Sequence, residues 1–297
     1  MNQLSATKGL ARAITIVENG DSTSADYRDI LSNLVIPDNI PVIGVTGPPG
    51  AGKSTLVNEL IAALAAKSKR IGVIAVDPTS PFNFGSLLGD RIRMGEHFSN
   101  PNIFIRSLAT RGSLGGLSAK TIEITDLMKA AGFDYIFIET VGVGQSEVEI
   151  SGLADTTIVV LVPEGGDEIQ AMKSGIMEIA DIFVVNKSDR PGANEFISNL
   201  HKLIKQKNAH ALWKIPVIAA VATEKKGTEE IIEAILKHNA TEKPEKKSLL
   251  LADKAYHLIQ NKRMQDVNKK ALAEEIKEQM KKGGFNLYRF VDAFDAK

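Results

Sequence analysis

The sequence contains no cysteine, which excludes disulfides, a thiol nucleophile and any thiolate metal site. It has no net charge: 36 basic residues balance 36 acidic ones, so no global field draws it to nucleic acid or to an anionic membrane surface. No apolar run is long enough to span a bilayer. The N-terminus lacks the apolar core of a secretory signal, and Lys8 and Arg12 are soon followed by Glu18 and Asp21, unlike an acid-free transit peptide. The five histidines (His97, His201, His210, His238, His257) show no ligand spacing and read as solvated surface. There is no internal repeat and no low-complexity stretch. These absences leave a cytoplasmic chain with no nucleic-acid or membrane partner. Its 297 residues allow one large domain or one domain with appendages.

What is present centres on Val42 to Thr55. An apolar, β-branched run, Val42 to Val45, reads as a buried strand. It breaks at Gly47-Pro48-Pro49-Gly50-Ala51-Gly52 and resumes at Lys53-Ser54-Thr55 as a helix with Leu56, Val57, Leu60, Ile61 and Leu64 on one face. The spacing fits G-x-x-x-x-G-K-[ST], between a strand and a helix as that motif requires. Glycine frees the backbone to turn several N–H groups onto one phosphate chain at the positive end of a helix. Lys53 would reach the β and γ phosphates, and the Ser54 hydroxyl would bind Mg²⁺.

Around this stretch strands and helices alternate. Two short helices, broken at Gly20-Asp21-Ser22, precede the first strand. Further strands are expected at RIGVIAVD ending at Asp77, FDYIFIET ending at Glu139-Thr140, TTIVVLVP, IFVVNK and PVIAAV, which makes six in all. The long segment from Pro78 to about Ser118 reads as a functional loop. Helices are expected over 119–131, 168–180, 194–207 and 228–237. Apolar strands separated by helices imply a mostly parallel sheet covered on both faces, with ligands at the carboxyl edge of the strands. The fold class is therefore α/β, a P-loop NTPase fold of the G-domain type, with flanking N-terminal helices and a C-terminal helical arm. Its domains are expected at 1–38, 39–240 and 241–297, with a polar hinge over 238–248.

Asn186-Lys187-Ser188-Asp189 ends the fifth of these strands. The Asp189 carboxylate can accept from guanine N1–H and the exocyclic amine, neither of which adenine offers. Asn186 can tie this turn to the phosphate loop, and the Lys187 stem can lie along the base. Val221-Ala222-Thr223 is the candidate for a backbone N–H to guanine O6; Ala222 fits the usual Ser-Ala pattern and Val221 does not. Mg²⁺ takes oxygen ligands. Beside Ser54, the candidates are Asp77 and Glu139, which could instead cap the next element, and Asp90, which could instead be a solvated loop acid. The bound nucleotide is thus expected to be GTP or GDP with Mg²⁺.

Several stretches together resemble the methylmalonyl-CoA mutase-associated GTPases, the MeaB/ArgK group that includes the human methylmalonic aciduria type A protein. They are GLARAITIVENG, GVTGPPGAGKSTL, VDPTSPFNFGSLLGDRIRM, TRGSLGG, ETVGVGQSE, GGDEIQAMKSGIMEIAD and VVNKSD. The tail from about Leu249 matches only loosely. The resemblance implies a homodimeric, chaperone-like GTPase that gates cofactor loading and removal of inactive cofactor on adenosylcobalamin-dependent acyl-CoA mutases. It also implies a first switch holding Asp77 and Asp90, a second from Glu139 to Gln145, and a further one from Pro163 to Lys173 facing the mutase. Lys53, Asp90, Glu139 and Gln145 are the catalytic candidates, with Arg91, Arg93 and Arg111 available for charge stabilisation. Val143 follows Gly142, where small signalling GTPases carry the glutamine that orients water, so slow hydrolysis alone and stimulation by a partner are expected. Three other readings stay open: a metal-insertion accessory GTPase, a kinase of a periplasmic transport component, and a GTP-sensing structural subunit.

Overall fold

The computed structural model describes residues 7–19, 24–77, 95–97, 99–109, 119–140, 149–164, 175–208, 211–241, 244–264 and 267–295. Two N-terminal helices, α1 (Thr7–Asn19) and α2 (Ala25–Ser32), lead into β1 (Val42–Thr46) and α3 (Lys53–Ala66). Then follow β2 (Ile71–Asp77), β3 (Ile103–Ala109), α4 (Ala119–Ala130), β4 (Tyr135–Thr140), β5 (Thr156–Leu161), the single turn α5 (Ile176–Ile179), β6 (Ile182–Val185), α6 (Ala193–Asn208), β7 (Val217–Ala219) and α7 (Thr228–Asn239). The chain closes with α8 (Pro244–Arg263), α9 (Lys269–Lys281) and α10 (Leu287–Asp295).

The seven strands form one sheet in the order β3-β2-β4-β1-β5-β6-β7, and every pairing is parallel. β1, β4, β5 and β6 are buried at every residue, as strands covered on both faces must be. The expected face of α3 packs on this sheet: Leu56, Val57, Leu60, Ile61 and Leu64 are all 2% exposed or less. Each such side chain contributes roughly 1.5–3 kcal/mol of burial, which fixes the helix that carries the phosphate-loop lysine. On the other face, α1 buries Leu10, Ile14 and Val17 and packs on α4.

Three expectations change. The segment 78–118 is not one long loop, because β3 pairs with β2 from Ile71↔Ile103 to Asp77↔Ala109. Arg106 and Ser107 interrupt its apolar alternation, as suits an edge strand. Arg106 is spent on an ion pair with Glu18 of α1. The polar stretch 238–248 is helix at both ends, since α7 runs through Asn239 and α8 begins at Pro244. Proline at a first helical position starts a helix rather than breaking one. Nor are the histidines all solvated. His97 is buried, and His238 is 2% exposed, with Thr156 Oγ1 2.7 Å from its Nδ1 and Asp181 Oδ1 3.0 Å from its Nε2. The chain divides into two compact units, Met1–Lys254 and Ala255–Lys297. In the second, Phe285 and Phe290 meet with ring centroids 6.0 Å apart.

Candidate functional site

The phosphate loop is built by β1 ending at Thr46 and α3 starting at Lys53. Gly47 has φ 137°, and a Cβ there would stand 2.1 Å from the Val160 carbonyl oxygen, a backbone atom that cannot yield. Gly52 caps α3 with φ 82°, and a Cβ there would meet Asn186 Nδ2 at 2.5 Å. Between them, Ala51 N–H donates to Pro48 O at 3.2 Å. The first turn of α3 follows directly on this loop, where the helix dipole favours an anion. Lys53 is 6% exposed, and its Nζ donates to Gly47 O at 2.7 Å and Pro48 O at 3.0 Å. The loop's own carbonyls thus fix the ammonium at the mouth.

β1 pairs with β4 so that Val45 faces Glu139. This register brings the Glu139 carboxylate to the start of α3, where Ser54 Oγ donates to its Oε1 at 2.6 Å. Two hard oxygen groups from different elements meet there, a donor set suited to Mg²⁺. Beneath them Thr140 Oγ1 lies 3.0 Å from Thr46 Oγ1, and both residues are buried. Asp77 ends β2, with its backbone paired to Ala109. Its side chain lies outside the described residues, as do Asp90, Arg91, Arg93, Arg111, Gln145 and the turn 165–168. Among the described residues no three His, Asp or Glu side chains gather to hold a metal ion.

Asn186 organises the second half of the site. It is 2% exposed. Its N–H donates to Leu161 O at 2.8 Å, its Nδ2 donates to Ala51 O at 2.9 Å, and its Oδ1 accepts from Ala222 N–H at 3.1 Å. Asn186 thus joins the end of β5 through its backbone, and the phosphate loop and the loop after β7 through its side-chain amide. Lys187 takes φ 56°, a left-handed conformation that costs a side-chain residue about 1 kcal/mol, and its Nζ donates to Gly50 O at 2.8 Å. Asp189 stands exposed at the tip of this turn. Of the three residues 221–223, Ala222 N–H goes to Asn186 and Val221 N–H to Lys226 O.

Two site neighbours were not foreseen from the sequence. Arg190 Nη1 donates to both carboxylate oxygens of Glu164. That hydrogen bond, with the nearby charges of Arg190 and Lys187, holds the Glu164 carboxyl below the usual carboxylate range. Arg190 carries a weak sequence signal, since it adjoins Asp189. Glu164 lies in the expected switch 163–173 but carries no signal for a contact with Arg190, because only the β5–β6 pairing brings the two together.

The family model for Methylmalonyl Co-A mutase-associated GTPase MeaB matches residues 10–279. A protein of Pyrococcus horikoshii whose name carries the word GTPase is 49% identical over 236 residues, covering 78% of this chain and 73% of that protein. The mitochondrial methylmalonic aciduria type A homolog of Mus musculus is 38% identical over 241 residues, covering 75% of this chain and 57% of that protein. A crystal structure of a LAO/AO transport system kinase matches with TM-score 0.69 and 25% identity, covering 100% of this chain and 96% of that one.

Proposed function

The chain belongs to the family of methylmalonyl Co-A mutase-associated GTPases, and on that premise we propose that it is a GTP-hydrolysing chaperone of an adenosylcobalamin-dependent acyl-CoA mutase. In this reading it gates loading of the cofactor and removal of inactive cofactor. The observation that carries the nucleotide half is Asn186, whose single buried amide makes the phosphate loop and the Asp189 turn one unit. The loop 47–52 would wrap the phosphates, with Lys53, Ser54 and Thr55 at the helix start. Lys187 would lie along the base, Asp189 would accept from the guanine edge, and the 221–223 loop would border it. Ser54 and Glu139 would hold Mg²⁺, with Asp77 and Asp90 as further candidate ligands. The ion would neutralise charge developing on the phosphates. Asp90 and Gln145 keep their catalytic assignment from the motifs alone.

The mutase half rests on the family and on the name of the mouse relative. We place the domains at 1–38, 39–240 and 241–297, in a cytoplasmic homodimer. No helix among the described residues is long and apolar enough to cross a membrane. The dimer reading draws on the exposure of Tyr256, Ile259, Met280, Leu287 and Tyr288 in the second unit.

Phosphate release, with and without the mutase encoded nearest this gene, tests the whole reading. The protein alone is expected to turn over slowly, because Val143 cannot orient the attacking water. Addition of the cognate mutase is expected to raise the single-turnover rate by at least about tenfold, by fixing loops and geometry. Fast hydrolysis unchanged by the mutase overturns it. Labelled phosphate appearing on a protein rather than in water would favour the kinase reading, which the kinase relative keeps open.

A further inference from the structure

Besides the Lys187 Nζ bond to Gly50 O, three contacts fix or border the turn 187–190 that carries Asp189. The buried amide of Asn186 grips Ala51 O and Ala222 N–H. On a second side, Ser188 N–H donates to Ala220 O at 3.0 Å. On the third, Arg190 pairs with Glu164, three positions past the end of β5. The first two are backbone bonds or a buried amide, and breaking them strands polar groups away from water. The third is made of side chains that are 40% and 55% exposed.

The position of Arg190 gives that exposed pair a specific task. Arg190 adjoins Asp189 in the chain and feels its negative charge as well as that of Glu164. A guanidinium presents five donors in a planar fork that fits a carboxylate well. Released from Glu164, it would be free to turn to the adjacent Asp189, whose charge it already feels. It would then occupy the oxygens that a guanine edge must reach.

We propose that Glu164 is a positioning residue for guanine recognition: by engaging Arg190 it keeps the Asp189 carboxylate available to the base. The proposal rests on the guanine reading above. It assigns Glu164 no contact with nucleotide. It requires that an Arg190 left without Glu164 is what weakens binding, whereas loss of a simple tether would weaken binding whichever partner is removed.

The test is a double-substitution cycle read as the Kd for fluorescently labelled GDP, with thermal unfolding to confirm that each variant folds. Glu164→Gln should weaken GDP binding about three- to fivefold, the scale of an exposed ion pair. Arg190→Gln should bind within about 1.5-fold of the unsubstituted protein, and the double variant should match Arg190→Gln rather than Glu164→Gln. Equal weakening in all three variants would mean that the pair is only a tether and would overturn the proposal. Unchanged binding in Glu164→Gln would also overturn it. Failure of the unsubstituted protein to bind GDP would overturn the guanine reading and this inference together, which separates the two failures.

Discussion

Asp189 is exposed while Asn186, which ties its turn to the phosphate loop, is buried, and that division separates chemistry from support at the residue scale. A site built to hydrogen-bond a polar edge rejects an analogue lacking that edge by about 10⁴-fold or more. Calorimetry should therefore find GTP and GDP bound far more tightly than ATP. Asp189→Asn should lose guanine nucleotides and gain xanthine nucleotides, whose base offers a carbonyl where guanine has an amine. Lys53→Ala should abolish hydrolysis with the fold intact, because in the proposed reading the ammonium would stabilise the transferring phosphoryl electrostatically. Wild-type turnover in that variant would refute its role. The phosphate-loop residues and Asn186-Lys187-x-Asp189 were legible in the sequence, because local spacing on a strand–loop–helix unit fixes them. The Glu164–Arg190 pair was not legible, and neither was the Thr46–Thr140 hydroxyl contact, whose partners stand 94 residues apart.

Buried polar clusters between elements set stability at the next scale. On α4, Glu123 accepts from Tyr27 Oη, with Lys120 Nζ 3.4 Å from its second oxygen. Burial raises the Glu123 carboxyl above its ordinary 4.5 despite those two partners. As pH rises through that window, the native state holds a proton that the unfolded state has released, so stability falls and stays lower above it. Glu123→Gln keeps an acceptor for Tyr27 and avoids the charge. It should raise stability at pH 7, with the gain shrinking in denaturant titrations as pH falls below 4.5 and both states become protonated. At the end of α7, Thr156, His238 and Asp181 have the hydrogen-bond order of a catalytic relay. Thr156 is fully buried, however, so no substrate can reach it. Trp213 closes on His238 edge-on at 4.9 Å. His238→Ala should cost about 2–4 kcal/mol through lost bonds and a cavity, yet leave GDP affinity unchanged, because Thr156 begins β5 at the edge opposite the phosphate loop. The sequence hid this cluster because a histidine in a polar stretch looks solvated, and it hid β3 because one arginine broke the alternation.

For the molecule as a whole, the alternation of strands and helices made the parallel sheet readable. The fate of its C-terminal end was less so, because exposed apolar residues such as Leu287 and Tyr288 carry no signal for a partner. Replacing Leu287 and Tyr288 of α10 with aspartate should lower the mass seen by light scattering if the second unit joins two copies. An unchanged mass would place the dimer contact elsewhere or exclude a dimer.

The strand order also bears on how the chain is born. β1 lies between β4 and β5, and its partners are made long after it: Thr140 follows Thr46 by 94 residues and Asp155 follows Val42 by 113. At ribosomal speeds of about 5–20 residues per second, the phosphate-loop strand waits roughly 5–20 s with both edges bare. Parallel pairing across such separations is slow and leaves apolar edges open to aggregation. N-terminal fragments that stop before Tyr135 should be cut rapidly by protease, and protection of the Val42 region should appear only in fragments that extend past Leu161. A chain organised around a site near its beginning cannot assemble that site until more than half of it has been synthesised.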